Sequence, residues 1–525
     1  MTRDTAQVGA DGPTPTHTPA TPTRGWPVLL FRLTVLAVVA LAVWWRVPVT
    51  TEWPVKFQRA LQYDSALAAR TIWLTLRPGP RSPLEAAWLE KAPGRFIEPP
   101  LLQTLTVLTY FPDGRERPWV SGLIASAFWL LGGWFLYRLA LWYAGGAGAL
   151  CALAYYLLAP FGIVVSQSFQ PEALLVCGLL GALWVLVCGR ALESWQRTLV
   201  AGLVCGLALL VKPGVVLLPL AGAFLAYSVR ARGWRGTLLS GQSYLFGLLA
   251  AAPSVLWTLA LLRGQVGGKM LPQLLLSPRL YAGWAANMQT VVGGVPLALG
   301  IAGALLSFLR RPAPLGVGLL LGFLANGLLF TFHTMTHDYY QVPLIPIVAL
   351  SAAPLAQVGF DALARQVPRW AGLPGAVLFL AAGAALAQPA TDLAGPRFPE
   401  WPAQYEAVAD AVGPGTEVLS LSESYGLPLT YHGWVFARFW PSQGDQEYDE
   451  LLSGAARGEE AILDSLIEQE RPRYFVITQV EWLPRHPGLA MALKRRYPVL
   501  LARHDLVIYD LRSRRDRSES DAASP

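Results

Sequence analysis

Leu61-Gln62-Tyr63-Asp64-Ser65-Ala66-Leu67-Ala68-Ala69-Arg70-Thr71-Ile72-Trp73-Leu74 lies in a mostly polar stretch, Pro48 to Pro118, that separates two apolar runs. Leu61, Leu67, Ile72 and Trp73 set against Gln62, Arg70 and Thr71 predict an amphipathic helix lying on a membrane surface. An acid at Asp64 then faces the plane in which lipid-borne substrates arrive. Further along the stretch comes Arg95-Phe96-Ile97-Glu98-Pro99-Pro100. The pattern is that of a polar loop held over a membrane scaffold.

The surrounding composition agrees. Of 525 residues, 54% are hydrophobic and 14% charged, with mean hydropathy +0.40; soluble domains carry about 25% charged residues. The net charge of +7 comes without dense basic blocks, which argues against a nucleic-acid partner and leaves membrane topology to explain the positives. Twenty Trp and eighteen Tyr suit interfacial belts. Cys151, Cys177, Cys188 and Cys205 all fall inside apolar runs without metal-ligand spacing, so they read as small buried residues and no disulfide is expected.

In chain order, residues 1–26 are rich in Thr, Pro, Gly and Ala and are expected to form a disordered cytoplasmic tail. The run Pro27 to Val47 is long enough to span a bilayer and is followed by Trp44-Trp45-Arg46 at its end instead of a small-residue cleavage site, so it reads as an anchor. Ten more apolar runs follow, at Trp119–Leu139, Gly146–Val165, Pro171–Cys188, Leu199–Val211, Val215–Val229, Leu238–Leu262, Val291–Leu309, Leu315–Phe332, Gln341–Leu355 and Leu373–Ala387. About eleven spans are therefore expected, the pair flanking Lys212-Pro213-Gly214 being short enough to form one broken helix. Arg138, Arg190, Arg197, Arg230, Arg232, Arg235, Arg310, Arg311, Arg365 and Arg369 fall in alternate connections; the other short connections carry only Lys212, Arg263, Lys269 and Arg279, and the long first loop, which has several Lys and Arg, is of a length that translocates largely regardless of charge. The positive-inside rule then puts the N-terminus in the cytoplasm, and the first loop and C-terminal segment outside.

The expected domains are a membrane module, residues 27–388, with its loop 48–118, then an extracytoplasmic α/β domain, 389–512, and a polar tail, 513–525. In the α/β domain, Ala403–Val412, Tyr448–Glu470 and Gly488–Arg496 read as helices. Glu417–Ser420, Tyr474–Thr478, Val499–Ala502 and Leu506–Asp510 read as strands.

Several residues can carry chemistry. A carboxylate at Asp64 can act as general base on an acceptor hydroxyl or stabilise an oxocarbenium ion; it can equally be a solvated helix-capping acid. Pro99 and Pro100 hold Glu98 extended, either to orient a substrate or cation or simply to stiffen the loop. Glu172 stands at the mouth of a span, after Ser166-Gln167-Ser168-Phe169-Gln170-Pro171. Lys212 is a charge between two apolar runs, either functional or snorkelling, and a carrier phosphate suits it. Arg95, Arg115 and Arg117 can also meet phosphate. His333 and His337 are four apart, but lack HExxH and a third ligand, so hydrogen bonding to a polar substrate is favoured over metal binding.

Taken together these stretches resemble the GT-C glycosyltransferases, in the family that holds protein O-mannosyltransferases and the lipid A aminoarabinose transferase. Tyr63-Asp64 matches the family's first-loop motif with its catalytic Asp. Phe96-Ile97-Glu98-Pro99-Pro100 is similar to its proline-containing segment, and Gly206–Pro213 to its Lys-bearing turn near the carrier phosphate. His337-Asp338-Tyr339-Tyr340-Gln341-Val342-Pro343-Leu344-Ile345-Pro346 is similar to its His-x-Tyr-Tyr-x-x-Pro-Leu-x-Pro segment. Ser65 stands where many members have Glu, Trp119–Ile124 lacks their Arg-x-Pro-Ser pattern, and Arg263–Gly294 has no His.

The resemblance implies a polytopic α-helical GT-C enzyme in the cell membrane that moves a sugar from a polyprenyl-phosphate carrier to a lipid, glycan or protein hydroxyl on the outer face. It implies Asp64 as catalytic group. Glu98, Glu172, Lys212, Arg95, Arg117, His337, Tyr339 and Tyr340 would bind substrate. A divalent cation is a candidate cofactor, with Glu98 and His337 as candidate ligands. Two rivals stand beside it: a non-catalytic scaffold that binds a lipid-linked sugar, and a secondary transporter. The latter would show repeated halves, and no internal repeat is evident.

Overall fold

Prolines and glycines set where the apolar runs break. The computed structural model describes residues 28–47, 53, 57–91, 96, 98–261, 270–309, 314–366, 401–455 and 457–514. The expected span Gly146–Val165 is divided into helices Gly146–Leu158 and Pro160–Val165. Ala159 between them is extended (ψ 125°), as a residue preceding proline prefers. Lys212, before Pro213, ends helix Trp195–Val211 with φ −147° and ψ 89°, and Leu217–Leu238 follows as a separate helix. Gly293, at φ +80°, turns the chain by 93° between helices Pro278–Val292 and Gly294–Leu309. The first of that pair is amphipathic and was not among the expected elements, because its polar face hides it from a search for continuous apolar runs.

Among the described residues, three helices are long and apolar enough to cross a membrane, or four if the bent pair counts as one span. Five shorter apolar helices accompany them, Leu29–Trp44, Gly146–Leu158, Glu172–Val187, Trp195–Val211 and Leu315–Leu329. The expectation of about eleven full spans is thus not reached by length. The expected run Leu373–Ala387 and the N-terminal tail lie outside the described residues.

Small residues let these helices approach. A methyl group on Gly222 would meet the Gly318 carbonyl, and one on Gly318 would meet that of Gly222. Such backbone contact is how helices associate where burial in lipid supplies no hydrophobic drive. Trp129 and Tyr156 stack at 4.6 Å, and each donates its polar hydrogen to the other's carbonyl, at 3.3 and 3.1 Å.

The C-terminal domain is a five-stranded sheet in the order β2-β1-β3-β5-β4. The strands are β1 Glu417–Leu421, β2 Phe436–Phe439, β3 Tyr474–Ile477, β4 Val499–Ala502 and β5 Val507–Asp510. β1 runs parallel to β2 and β3, while β5 is antiparallel to β3 and to β4. Successive side chains take opposite faces. Val418, Tyr474 and Val476 pack with Tyr405 and Leu429 on one side; Leu419, Phe475 and Ile477 pack with Leu463, Leu489 and Leu493 on the other. With both faces covered, β3, Tyr474-Phe475-Val476-Ile477, reads as a continuous apolar run. The expected single helix Tyr448–Glu470 is instead two, Gln443–Ser453 and Glu459–Glu470. A Ser442/Asp445 capping box starts the first, and Gly454 at φ +73° ends it, a position that favours glycine.

This domain is fastened to the first loop. Helix Arg59–Leu76 is amphipathic as expected, but its polar side chains meet protein: Gln62, Ser65 and Arg70 are buried. Arg70 makes a forked contact with Glu116 at 3.0–3.1 Å. It also donates to the Tyr431 carbonyl at 2.7 Å, and its guanidinium lies 4.0 Å from the Tyr431 ring and 4.3 Å from that of Trp434. Arg59–Glu423 (3.0 Å) and Lys91–Glu417 (3.1 Å) add further ion pairs across the same boundary. Tyr63 Oη and His432 Nε2 are 3.0 Å apart. Burial, with Arg70 second, lowers the His432 pKa to about 4, so at neutral pH its ring is uncharged.

Arg70→Ala strands Glu116 in this interface and is expected to cost about 3–5 kcal/mol. Arg70→Lys should recover little, because an ammonium neither forks onto a carboxylate nor stacks flat on two rings. Thermal unfolding in detergent, with limited proteolysis of the C-terminal domain, measures both; a wild-type profile for Arg70→Ala would overturn this account of the interface.

Candidate active site

A buried lysine forms the centre of the site. The extended conformation forced at Lys212 by Pro213 turns its side chain out of the helix line, and Nζ lies 2.7 Å from Glu172 Oε1 and 3.2 Å from Glu98 Oε1. Glu172 is the first residue of helix Glu172–Val187, where the helix dipole favours an anion. It is 1% exposed, and its Oε2 has no hydrogen-bond partner among the described residues. Glu98 differs: its side chain is 32% exposed, on the loop segment ahead of helix Leu101–Leu108. One carboxylate is therefore sealed in the protein and the other is partly solvated.

Aromatic rings close the opposite side. After His337 the chain tightens into a 3-10 turn, Asp338–Gln341. This turn places the Tyr339 and Tyr340 rings 4.8 and 5.4 Å from Lys212 Nζ, within cation–π range. Gln341 holds the turn by accepting from Trp284 Nε1 at 3.1 Å. Asp338 Oδ1 accepts from Gln58 Nε2 at 3.0 Å, tying the turn to the start of the helix that carries Asp64. His337 is extended, so the pair four apart is not on one helix, yet its ring stacks on His333 at 5.1 Å.

Asp64 stands in helix Arg59–Leu76 with solvent-accessible surface. The carboxyl is recessed all the same: protein surrounds it closely enough that desolvation, with the charge of Glu98 second, raises its pKa to about 6. Such a group is mostly ionised at pH 7 and ready to accept a proton.

The structure thus brings Glu98, Glu172, Lys212, Tyr339 and Tyr340 into direct contact, with Asp64 electrostatically coupled through Glu98 and His337 joined through ring contacts to Tyr339 and Tyr340. It does not bring in Arg117, which pairs with Asp113 at an exposed turn. Arg95 lies outside the described residues. Asp338, Gln58 and Gln341 were not foreseen; the only sequence signal for them was their adjacency to the Tyr pair and to the start of the amphipathic helix.

The donor set does not suit a divalent cation. Glu98 and Glu172 converge on an ammonium instead of on a common open point, His337 is engaged with His333 and the Tyr pair, and no group of three or more His, Cys, Asp or Glu able to hold a metal ion occurs among the described residues.

Comparison with known proteins agrees with this architecture. The sequence profile of the dolichyl-phosphate-mannose-protein mannosyltransferase family matches residues 104–257. No curated protein matches the chain in sequence. ArnT from Cupriavidus metallidurans in the apo state superposes with TM-score 0.55 at 14% identity, covering 95% of this chain and 99% of its own. The same protein bound to undecaprenyl phosphate gives TM-score 0.55 at 15% identity over 92% and 97%. The oligosaccharyltransferase of Archaeoglobus fulgidus tethered with an acceptor peptide gives TM-score 0.56 at 12% identity over 89% and 72%. The chain shares the fold of these proteins.

Glu172→Ala leaves buried Lys212 short of its sealed-in partner and is expected to lower stability by about 3–5 kcal/mol. Glu98→Ala removes a partly solvated partner and should cost about 1 kcal/mol or less. Equal shifts in thermal unfolding in one detergent would contradict the division into a sealed and a partly solvated carboxylate.

Proposed function

We propose that this protein is a membrane glycosyltransferase that moves a sugar from a polyprenyl-phosphate carrier to an acceptor hydroxyl on a lipid, glycan or protein. The observation that carries this reading is the buried Lys212, held by one sealed and one partly solvated carboxylate beside an Asp of raised pKa. The family profile and the carriers bound by the structural neighbours support the same chemistry: undecaprenyl phosphate in ArnT and dolichol-phosphate in the archaeal oligosaccharyltransferase AglB.

In this reading the carrier phosphate displaces Glu98 from Lys212 while Glu172 keeps the ammonium in place. The acceptor hydroxyl attacks the anomeric carbon, the bond from that carbon to the phosphate oxygen breaks, and the hydroxyl proton passes to Asp64. Charge grows on the leaving phosphate where Lys212 stands, so the ammonium stabilises the transition state more than the ground state. Tyr339, Tyr340 and His337 would shape the sugar pocket. Moving Glu98 away from Asp64 also lowers the Asp64 pKa, because Glu98 is the second cause of its elevation.

The distribution of Arg over the connections supports a cytoplasmic N-terminus with loop 48–118 and the C-terminal domain on the outer face of the cell membrane. The module boundaries at about residues 27–388 and 389–512 belong to the same reading.

Asp64→Asn and Asp64→Ala should lower sugar transfer by about a hundred- to ten-thousand-fold, measured with polyprenyl-phosphate sugars in reconstituted membranes; full activity in both would remove Asp64 from the reaction. As pH falls, kcat/KM should drop through an apparent pKa of about 6, the value carried by Asp64. In Glu98→Gln that limb should move to lower pH, since the neighbouring negative charge is gone. An unmoved limb would separate Glu98 from the base.

A further inference from the structure

The C-terminal domain contains a second crevice that the transfer chemistry does not use. Its volume is about 450 Å³, within the usual range of small-ligand sites, about 300–1,000 Å³. It is lined by residues that follow β1 and β2, and by Trp482, Arg485 and His486 beyond β3. From β1 the chain crosses to β2 on one side, and from β2 it returns past β1 to β3 on the other. The crevice therefore lies at the carboxyl ends of the parallel strands where the winding reverses, the place at which open α/β sheets hold ligands.

Two of its lining side chains are built for a partner they do not have. Ser422 is 7% exposed and Trp440 4%, and neither Ser422 Oγ nor Trp440 Nε1 has a hydrogen-bond partner among the described residues. Glu459 accepts from Leu489 N at 3.1 Å and meets His486 Nδ1 at 2.7 Å, so the ring is fixed and Nε2 is the nitrogen left for a ligand. Trp440, Trp482 and Tyr425 supply aromatic surface.

The charges narrow the ligand class. One carboxylate, Glu459, and one guanidinium, Arg485, line the crevice, so it does not favour an ion of either sign. The segment after β1, Ser422-Glu423-Ser424-Tyr425-Gly426, has a single glycine and an acid, unlike the Gly-rich turns that cradle pyrophosphate. Aromatic faces combined with several neutral hydrogen-bonding groups match a ring that has one apolar face and an edge of hydroxyls. We propose that this crevice binds an uncharged saccharide.

Two contacts join the domain that carries it to segments adjoining the candidate active site. Glu423 pairs with Arg59 on the helix that carries Asp64. Tyr448, in the helix that follows β2, packs on Phe332 at 4.6 Å, next to His333. A saccharide here would be the glycan portion of an acceptor. That role rests on the transferase reading above, whereas the binding itself does not.

The test uses the full-length protein in nanodiscs, in an Asp64→Asn background that cannot turn over. Saturation-transfer NMR is recorded with methyl α-mannoside, methyl α-glucoside, methyl β-galactoside and maltotriose. At least one probe should receive saturation, and Trp482→Ala and Glu459→Gln should each weaken its Kd about tenfold, about 1.4 kcal/mol, with near-ultraviolet circular dichroism showing the domain folded. No transfer to any probe, or equal transfer in both folded variants, overturns the proposal. So does a signal that is present only with Asp64 intact, which would put the saccharide at the membrane site instead.

Discussion

An ammonium placed between two carboxylates inside a helix bundle is the constraint on which this structure turns. Lys212 can be buried only because Glu172 and Glu98 meet it and two tyrosine rings face it; an isolated charge there would have to give up its proton or reach water. Each partner comes from a different break in the chain. Pro213 ends the helix before Lys212, Pro171 precedes Glu172, Pro99 and Pro100 follow Glu98, and Pro343 follows the Tyr pair. Proline thus stands beside every arm of the site, and at Lys212 it ends the helix by holding the preceding residue extended.

The second requirement is that Asp64 stay above this cluster. Its helix is wedged under the C-terminal domain by the Arg70–Glu116–Tyr431 network and by the Tyr63–His432 bond. The domain therefore acts on the site mechanically, through the helix it clamps. It also meets the His333–His337 segment through Tyr448. A helix that would otherwise ride on a membrane surface becomes a fixed roof.

Electrostatics then divides the labour. Two carboxylates, Glu98 and Glu172, hold the ammonium, and a third, Asp64, feels the charge of Glu98. Glu172 is sealed in, Glu98 is partly solvated, and Asp64 reaches solvent with its pKa raised to about 6. In the proposed reaction the least exposed acid holds the cation, the intermediate one gives way to the carrier phosphate, and Asp64 takes up the proton. Burial depth, more than residue type, sorts the three.

Much of this was legible in the chain. Apolar runs broken by Pro and Gly located most of the helices, and the His337–Pro346 motif, Lys212 before Pro213 and Glu98 before two prolines marked the site, because proline acts locally whatever surrounds it. The apolar stretches of β1 and β3 were legible for the same local reason. What stayed hidden depends on partners distant in sequence. Arg70 reads as the polar face of a surface helix until Tyr431 and Trp434 cover it, and β2 is a four-residue edge strand that exists only by pairing with β1. Arg117 and Lys212 are both cations beside an apolar helix, and nothing local tells that one turns outward to Asp113 while the other is buried between two acids. The sequence by itself determined most of the helical segments and the residues that break them; the tertiary structure alone decided which charges meet, because pairing between residues tens to hundreds of positions apart is set by how the helices pack and not by any pattern along the chain.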